Sequence, residues 1–160
     1  MYVEKKINGN RLIFCDLKLP SFQVWNISNN ECLQSTKENR TILQACLTRD
    51  KKYFVTSGND SNIYIYELEG LKKVHSCFPT PSYDVMDGHR TSVYCVKNYP
   101  MDEFSFISGG WDDTVQFWDR REPHAVRRIF GPHICGQAID INQSGTTILV
   151  IYTYTNKLKF

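Results

Sequence analysis

Long apolar runs, a strong charge of one sign and closely spaced cysteine pairs are all missing from this 160-residue chain. The apolar runs reach about five residues, whereas a membrane-spanning helix needs about 20, so no membrane partner is expected. A net charge of +2 is too small to predict a nucleic-acid-binding surface. The first six residues have no apolar core and predict no signal peptide, so we expect a cytoplasmic or nuclear protein.

Sites for metals and phosphate groups are missing as well. The six cysteines include no Cys-x-x-Cys pair, the spacing that most zinc sites use. Cys46 and Cys95 fall inside apolar strand patterns, where a free cysteine behaves as a small hydrophobic residue. Gly109 and Gly110 are too short a pair to cradle a phosphate group. The sequence therefore predicts neither a metal nor a cofactor.

What the chain does have is a repeated strand pattern in which apolar and polar side chains alternate. The pattern is clearest at 114–118 and recurs at 21–25, 62–66 and 157–160. Alignment of the copies on Val24, Ile65, Phe117 and Phe160 gives spacings of 41, 52 and 43 residues. Alternation with a period of two predicts β-strands with one buried face, and a repeat of roughly 40–45 residues is typical of β-propellers.

Further strands are predicted around each copy, and no helical period appears in the chain. A preceding apolar strand is predicted at 11–15, 53–56, 104–108 and 147–151. Inner strands are predicted before three of these, at 42–47, 92–96 and 137–141, and outer strands follow three copies, at 31–34, 72–77 and 125–129.

One unit carries a specific signature, because Gly88-His89 opens it and Trp118-Asp119 closes it. Together with the strands between them, these dipeptides resemble a WD40 repeat, the unit of a β-propeller blade. The resemblance implies an all-β fold of four-stranded antiparallel blades, about four in a row over residues 1–160, that form part of a ring. The implied repeats are 1–36, 37–78, 88–130 and 131–160.

An inserted loop is expected at 79–87, where two prolines within three residues cannot continue a central strand. An incomplete ring of this kind is expected to be a segment of a larger propeller. It is also expected to self-associate through its open blade edges, because terminal units of a repeat array expose an apolar face and unpaired strand groups.

The resemblance also implies a buried hydrogen-bond tetrad in the third repeat, formed by Asp112, His89, Ser108 and Trp118. A carboxylate only accepts hydrogen bonds and an indole only donates them, while histidine and serine do both, so this order leaves no member unsatisfied. The corresponding positions of the first two repeats depart from the pattern. The second repeat has Thr56, Asp60 and Tyr66 but no Gly-His, and the first has Cys15 and Leu19 at the serine and aspartate positions and retains Trp25.

Propellers of this family are non-catalytic scaffolds, so the resemblance implies that the partners are other proteins or peptides. Trp111 falls in the turn before Asp112, where a solvent-facing tryptophan would be a candidate interface anchor. Arg90 and Tyr83 flank the same region and are candidates for the same surface. Alternatively, Trp111 folds over its own blade or packs on the loop at 79–87.

Two other functions compete with the scaffold. Trp118-Asp119-Arg120-Arg121 fits the Trp-Asp-x-Arg pattern of substrate receptors of cullin-based ubiquitin ligases, in which the arginine contacts the ligase adaptor. Ser, His and Asp side chains also invite a serine hydrolase interpretation. The chain lacks the Gly-x-Ser-x-Gly elbow that exposes a nucleophilic serine in one large hydrolase class, and the hydrolase is the remote alternative.

Overall fold

A computed structural model of the protein describes residues 2–8, 11–16, 20–82 and 84–151, and all regular structure in these ranges is β-strand. Accordingly, no helix of the described chain is long and apolar enough to cross a bilayer. The strands are β1 (Tyr2–Asn8), β2 (Arg11–Asp16), β3 (Ser21–Asn26), β4 (Glu31–Lys37), β5 (Ile42–Leu47), β6 (Tyr53–Gly58), β7 (Ile63–Glu67), β8 (Lys73–Cys77), β9 (Val93–Asn98), β10 (Ser105–Gly110), β11 (Thr114–Asp119), β12 (Arg127–Phe130), β13 (Ile139–Ile141) and β14 (Ile148–Val150).

The strands form consecutive antiparallel sheets in which each strand pairs with the next along the chain. Three sheets have four strands, in the orders β1-β2-β3-β4, β5-β6-β7-β8 and β9-β10-β11-β12, and β13 pairs with β14 in a fourth. This confirms the prediction of an all-β fold built from four-stranded blades in an incomplete propeller. The strand predicted at 157–160 lies outside the described residues.

The first strand, β1, was not predicted from the sequence. It pairs antiparallel with β2 along nearly its whole length, with Val3 opposite Cys15 and Lys5 opposite Ile13. It therefore gives the first sheet the inner strand that the sequence pattern showed only for the later three. The run Glu4-Lys5-Lys6 hid it, because an apolar alternation is the signal that predicts strands, whereas backbone pairing holds a strand whatever its polarity.

The core lies between the sheets, and the second and third sheets contribute apolar side chains on both faces. Between the first two sheets, the rings of Phe22, Phe54 and Tyr66 lie within 4.8–5.2 Å of one another, centroid to centroid. The other two interfaces are equally apolar. Cys46, Val55, Ile65, Val96, Phe106 and Trp118 fill the second, and Cys95, Ile107, Val115, Ile134 and Ile139 fill the third.

The register of the first sheet corrects the assignment of Cys15 to the serine position of the tetrad. In the third sheet, that serine lies two residues after the strand partner of Trp118. In the first sheet, the partner of Trp25 is Leu12, so the equivalent residue is Phe14, and Cys15 is buried on the opposite face. The connection between β2 and β3 is one residue longer, so a fixed spacing along the sequence misplaces the equivalence.

No described sheet packs on the face of the first sheet that carries Trp25. Leu12, Phe14, Trp25 and Ile27 line a groove there, whereas the corresponding faces of the second and third sheets pack against the sheet before them. The groove is apolar and unoccupied by any described residue. Self-association through open blade edges stays a prediction.

Candidate functional site

The third sheet brings together the four side chains that the sequence assigned to a tetrad. His89 lies just before β9, Ser108 on β10, Asp112 in the β10–β11 turn and Trp118 on β11. His89 Nδ1 is 3.0 Å from Asp112 Oδ2, His89 Nε2 is 2.7 Å from Ser108 Oγ, and Trp118 Nε1 is 2.7 Å from Ser108 Oγ. The histidine, serine and tryptophan are almost completely buried.

Donors and acceptors in this relay fit only one direction. The Trp118 indole donates to Ser108 Oγ, the Ser108 hydroxyl donates to His89 Nε2, and His89 Nδ1–H donates to the Asp112 carboxylate. Because the indole has no acceptor and the carboxylate has no donor, the two ends fix the tautomer of the histidine between them. The relay therefore ties β9, β10 and β11 together inside the sheet–sheet interface.

Asp112 collects more hydrogen bonds than the tetrad requires. Besides His89, its carboxylate accepts from the Arg90 amide at 2.8 Å and from Thr114 Oγ1 at 2.7 Å. Burial by itself would raise the pKa of the Asp112 carboxyl, but the hydrogen bonds from His89, Thr114 and the Arg90 amide outweigh it and lower the pKa below 3.8. The carboxylate is therefore held in its charged form by donors that point at it.

Two further polar residues extend the relay and were missed in the sequence. Thr114 and Gln116 are fully buried on β11, and Gln116 Nε2 donates to Thr114 Oγ1 at 3.1 Å and to the Gly88 carbonyl at 3.4 Å. A signal for them exists, because both alternate with apolar residues on the strand that carries Trp118. Gly88 itself is required by close packing, since an added Cβ would lie 2.7 Å from the backbone nitrogen of Pro79.

The second sheet replaces the histidine relay with a buried ion network. Arg40 Nε donates to Glu38 Oε2 at 2.5 Å, and its other nitrogens contact Asp60, the Asn62 carbonyl and, at 3.1 Å, Thr56 Oγ1. Thr56 donates to Glu38 Oε1 at 2.7 Å. The side chains of Glu38 and Arg40 are 1% and 5% exposed. Thus Arg40 does what His89 does in the third sheet, bridging the turn carboxylate to the hydroxyl on the second strand.

The electrostatics of this network follow from its burial. Burial alone would lower the pKa of the Arg40 guanidinium, but Glu38 and Asp60 beside it raise the pKa above its ordinary value. Burial also raises the pKa of Tyr66, whose hydroxyl is hydrogen-bonded to Glu38. Thr56, Asp60 and Tyr66 were predicted as counterparts of the tetrad, whereas Glu38 and Arg40 were missed. The signal available was two residues of opposite charge, two positions apart, shortly before an apolar inner strand.

The first sheet has no relay among the residues that the structure describes. Trp25 Nε1 donates to Gln23 Oε1 on its own strand at 2.9 Å, and Phe14, which has no polar side-chain atom, occupies the hydroxyl position. Leu19, assigned from the sequence to the aspartate position, lies outside the described residues. The described residues of the first three sheets therefore form three different side-chain arrangements at equivalent positions: a Trp–Gln hydrogen bond, an arginine ion network and a histidine relay.

Trp111 lies at the end of β10 with its side chain largely outside the core. The residue is 51% exposed, and its ring meets Tyr94 edge-on at 5.7 Å and an interplanar angle of 63°. His133 lies on another side of the indole, 5.7 Å away, and its Nδ1 is 2.7 Å from Asp113 Oδ1. Trp111 thus rests partly on its own sheet and still presents half of its surface to solvent.

The structure engages Arg90 elsewhere, and Tyr83 lies outside the described residues. The Arg90 guanidinium donates to the carbonyls of Thr80, Ser82 and Val85 at 2.8, 2.5 and 2.6 Å. It therefore clamps the loop at 79–87 rather than presenting its charge to a partner. Of the three candidates, Trp111 has the largest described exposed surface.

Arg121 lies at the other end of β11 from Trp111. Its side chain is 61% exposed, its Nη2 is 2.5 Å from Asp119 Oδ2, and its guanidinium carbon is 4.2 Å from the centre of the Phe104 ring. The hydrogen bond from Arg121 lowers the pKa of Asp119. The guanidinium therefore lies over the Phe104 ring, at the end of β11 far from Trp111, and much of its surface is exposed to solvent.

Serine, histidine and aspartate do stand in hydrolase-like order in the third sheet, but they cannot act on a substrate. Ser108 and His89 are fully buried, and Ser108 Oγ already accepts a hydrogen bond from Trp118 Nε1 at 2.7 Å. A nucleophilic serine must reach a carbonyl carbon, which a hydroxyl sealed between two sheets cannot do. The geometry favours a structural role for this relay over the remote hydrolase alternative.

Within the described ranges, no three His, Cys, Asp or Glu side chains lie close enough together to hold a metal ion. Burial raises the pKa of the Cys15 and Cys77 thiols to about 12, so neither is a thiolate at neutral pH. Cys46 and Cys95 are buried as well. These four cysteines belong to the packed core.

Comparison with known proteins gives one family and several partial relatives. The family model described as WD40, WD domain, G-beta repeat, matches residues 80–119. A WD repeat-containing protein 26 homolog of Arabidopsis thaliana is 27% identical over 116 residues, 69% of this chain and 18% of the relative. A ribosome biogenesis protein WDR12 homolog of Drosophila mojavensis is 29% identical over 106 residues, 59% of this chain and 25% of the relative.

WD repeat-containing protein 18 of Bos taurus is 27% identical over 111 residues, which are 67% of this chain and 25% of the relative. In each of these comparisons, the matched part spans between 18% and 25% of the relative's length. The matched repeat at 80–119 includes the complete buried relay and the exposed Trp111.

Proposed function

We propose that the chain, which matches the WD40 family model at residues 80–119 and resembles WD-repeat proteins, is a non-catalytic scaffold that binds other proteins through the end of the blades where Trp111 lies. Trp111 is the anchor of this surface, and its ring contacts the rings of Tyr94 and His133. The observation that carries the proposal is a tryptophan that is 51% exposed directly beside a fully buried hydrogen-bond relay.

A rigid base makes an exposed tryptophan an effective anchor. Trp111 follows β10 directly, its amide donates to the Ser92 carbonyl at 3.1 Å, and Asp112 begins the relay. The side chain therefore loses little conformational freedom when a partner covers it, and the large buried area of an indole then appears as binding free energy. An anchor on a mobile loop would spend much of that free energy on ordering.

Substitution of Trp111 by alanine is expected to reduce the amount of co-purified partner about tenfold or more, the effect typical of a hot-spot residue. The measurement is affinity purification of the tagged chain from cell extract, with quantitative mass spectrometry of the bound proteins. Met101, which is 56% exposed in the β9–β10 connection, provides a matched control, and Met101→Ala should leave the bound set unchanged. Equal losses for both variants, or no loss for either, would remove Trp111 from the proposed function.

A ubiquitin-ligase substrate receptor is the second candidate, favoured by the position of Arg121. Its guanidinium is exposed at the end of β11 opposite to Trp111, so an adaptor and a substrate could bind without competing for one surface. Arg121→Asp is then expected to abolish pull-down of the ligase adaptor by the tagged chain while leaving the proteins that depend on Trp111 bound. Equal adaptor recovery with wild type and variant would eliminate this candidate.

A nuclear or cytoplasmic location belongs to the same proposal. One of the three relatives is named as a ribosome biogenesis protein, and this favours the nucleus for a chain that resembles part of it.

A further inference from the structure

We propose that Trp111, Tyr94 and Asp113 form a binding site for an arginine side chain of the partner. The inference rests on the proposed docking role of Trp111 and adds the chemistry of the group that docks. It is carried by two aromatic rings that meet edge to face, Trp111 in the β10–β11 turn and Tyr94 on β9, and by the half-exposed carboxylate of Asp113 in the same turn as Trp111.

The two rings supply the walls of the site. Trp111 and Tyr94 meet at 63° with centroids 5.7 Å apart, so they form a corner rather than a flat stack. The face of an aromatic ring carries a negative electrostatic potential and attracts cations, most strongly for tryptophan. A planar guanidinium can stack on the exposed indole face, which an ammonium group cannot do.

Asp113 supplies the charge. Its side chain is 47% exposed, and its Oδ1 is 2.7 Å from His133 Nδ1. Its Oδ2 has no hydrogen-bond partner among the described residues. His133 itself lies 5.7 Å from the indole, so the carboxylate stands at the border of the aromatic corner. The backbone of Asp113 adopts a φ of 57°, the left-handed conformation, in the turn between β10 and β11.

Charge complementarity decides between a cationic and an apolar occupant. The turn presents the half-exposed carboxylate of Asp113 to solvent, and the guanidinium of Arg90 nearby is directed at the loop carbonyls. An apolar side chain seated on Trp111 would remove water from the Asp113 carboxylate without replacing its hydrogen bonds, and this is costly. An arginine replaces them with charge-assisted hydrogen bonds while it covers the ring.

The test is a titration of the ¹⁵N-labelled chain with the peptide acetyl-Gly-Arg-Gly-amide, followed by the indole N–H resonance of Trp111. The resonance is identified by its loss in Trp111→Phe. The control peptide carries citrulline, which has the shape of arginine without its charge. The arginine peptide is expected to shift the Trp111 resonance saturably. The citrulline peptide is expected to bind at least about fivefold more weakly than the arginine peptide.

Matched variants separate the site from general charge effects. Asp113→Asn should weaken the arginine peptide about fivefold, and it keeps the backbone because asparagine tolerates the left-handed conformation. Glu69→Gln makes the same charge change in the exposed connection after β7 and should leave binding unchanged. Equal affinity of the arginine and citrulline peptides, or equal effects of the two substitutions, would overturn the proposal.

The two proposals can fail separately. If Trp111→Ala abolishes partner capture while the arginine peptide does not shift the indole resonance, the docking role stands and the arginine site is wrong. If the peptide binds but Trp111→Ala leaves every captured protein unchanged, the site exists and the proposed docking function is wrong.

Discussion

Replacing Asp112 by alanine is expected to lower the free energy of unfolding by about 3 kcal/mol. The substitution leaves three donors without their acceptor: His89 Nδ1–H, the Arg90 amide and the Thr114 hydroxyl. His89 and Thr114 are fully buried, so water cannot take over these hydrogen bonds. An unsatisfied buried donor costs about 1–3 kcal/mol, and Thr114 can recover part of the loss by turning toward the histidine.

Urea unfolding monitored by tryptophan fluorescence measures this effect, because Trp118 ends the same relay. The control is Asp84→Ala, which removes an exposed aspartate from the loop at 79–87 and should change the stability by less than about 0.5 kcal/mol. A loss for Asp112→Ala no larger than that of the control would show that the relay contributes nothing measurable.

The cost of losing Asp112 should also depend on pH in a defined direction. Because the folded-state pKa of Asp112 lies below its ordinary value of 3.8, the charged carboxylate stabilises the folded protein at pH values above 3.8. This contribution is lost as the pH falls from 3.8 through the lowered pKa. The difference between wild type and Asp112→Ala should therefore be constant near neutral pH and shrink below pH 3.8.

Replacing Arg40 by methionine is expected to destabilise the second sheet by about 3–5 kcal/mol, the range for breaking a buried ion pair from one side. Methionine keeps much of the apolar volume, so the cost comes from charge. Glu38 is left 1% exposed with no cation beside it, whereas Asp60, which is 33% exposed, can be rehydrated. Thermal unfolding measured by circular dichroism gives the comparison with wild type.

A double variant makes the prediction for Arg40 specific. Adding Glu38→Gln to Arg40→Met removes the uncompensated charge and retains an acceptor for Tyr66 and Thr56, so the double variant should be more stable than Arg40→Met alone. Arg121→Met changes an arginine in an exposed pair and should leave the stability nearly unchanged. Strict additivity of the Glu38 and Arg40 substitutions would mean that the two side chains do not act as one unit.

The fold was largely predictable because its signals are local. Alternation with a period of two placed strands in all four units, and β5 and β6 begin at the residues expected. β1 was not found, because a charged strand held by backbone pairing leaves no apolar pattern. The misplacement of Cys15 has a similar origin, since one additional residue in a connection changes the face that a side chain occupies, and only the register shows it.

The buried polar residues were likewise predictable only where they follow a known sequence pattern. The residues of the third relay stand in a recognisable order along the sequence, so their proximity could be anticipated from the resemblance. Glu38 and Arg40 follow no such pattern, and only the packed sheets show that Arg40 bridges Asp60 and Thr56. The commitment of Arg90 to loop carbonyls likewise follows from the path of residues 79–87 and not from residue type.

The amino-acid sequence by itself determined the strand repeat, the resemblance to WD40 repeats and the four members of the third relay, because hydrogen-bonding capacity and side-chain alternation are properties of individual residues. The tertiary structure alone decided which side chains are accessible and which charges are already paired. Exposure and pairing depend on distances between residues far apart in the chain, so the exposure of Trp111 and the burial of Ser108 become visible only once the sheets have packed.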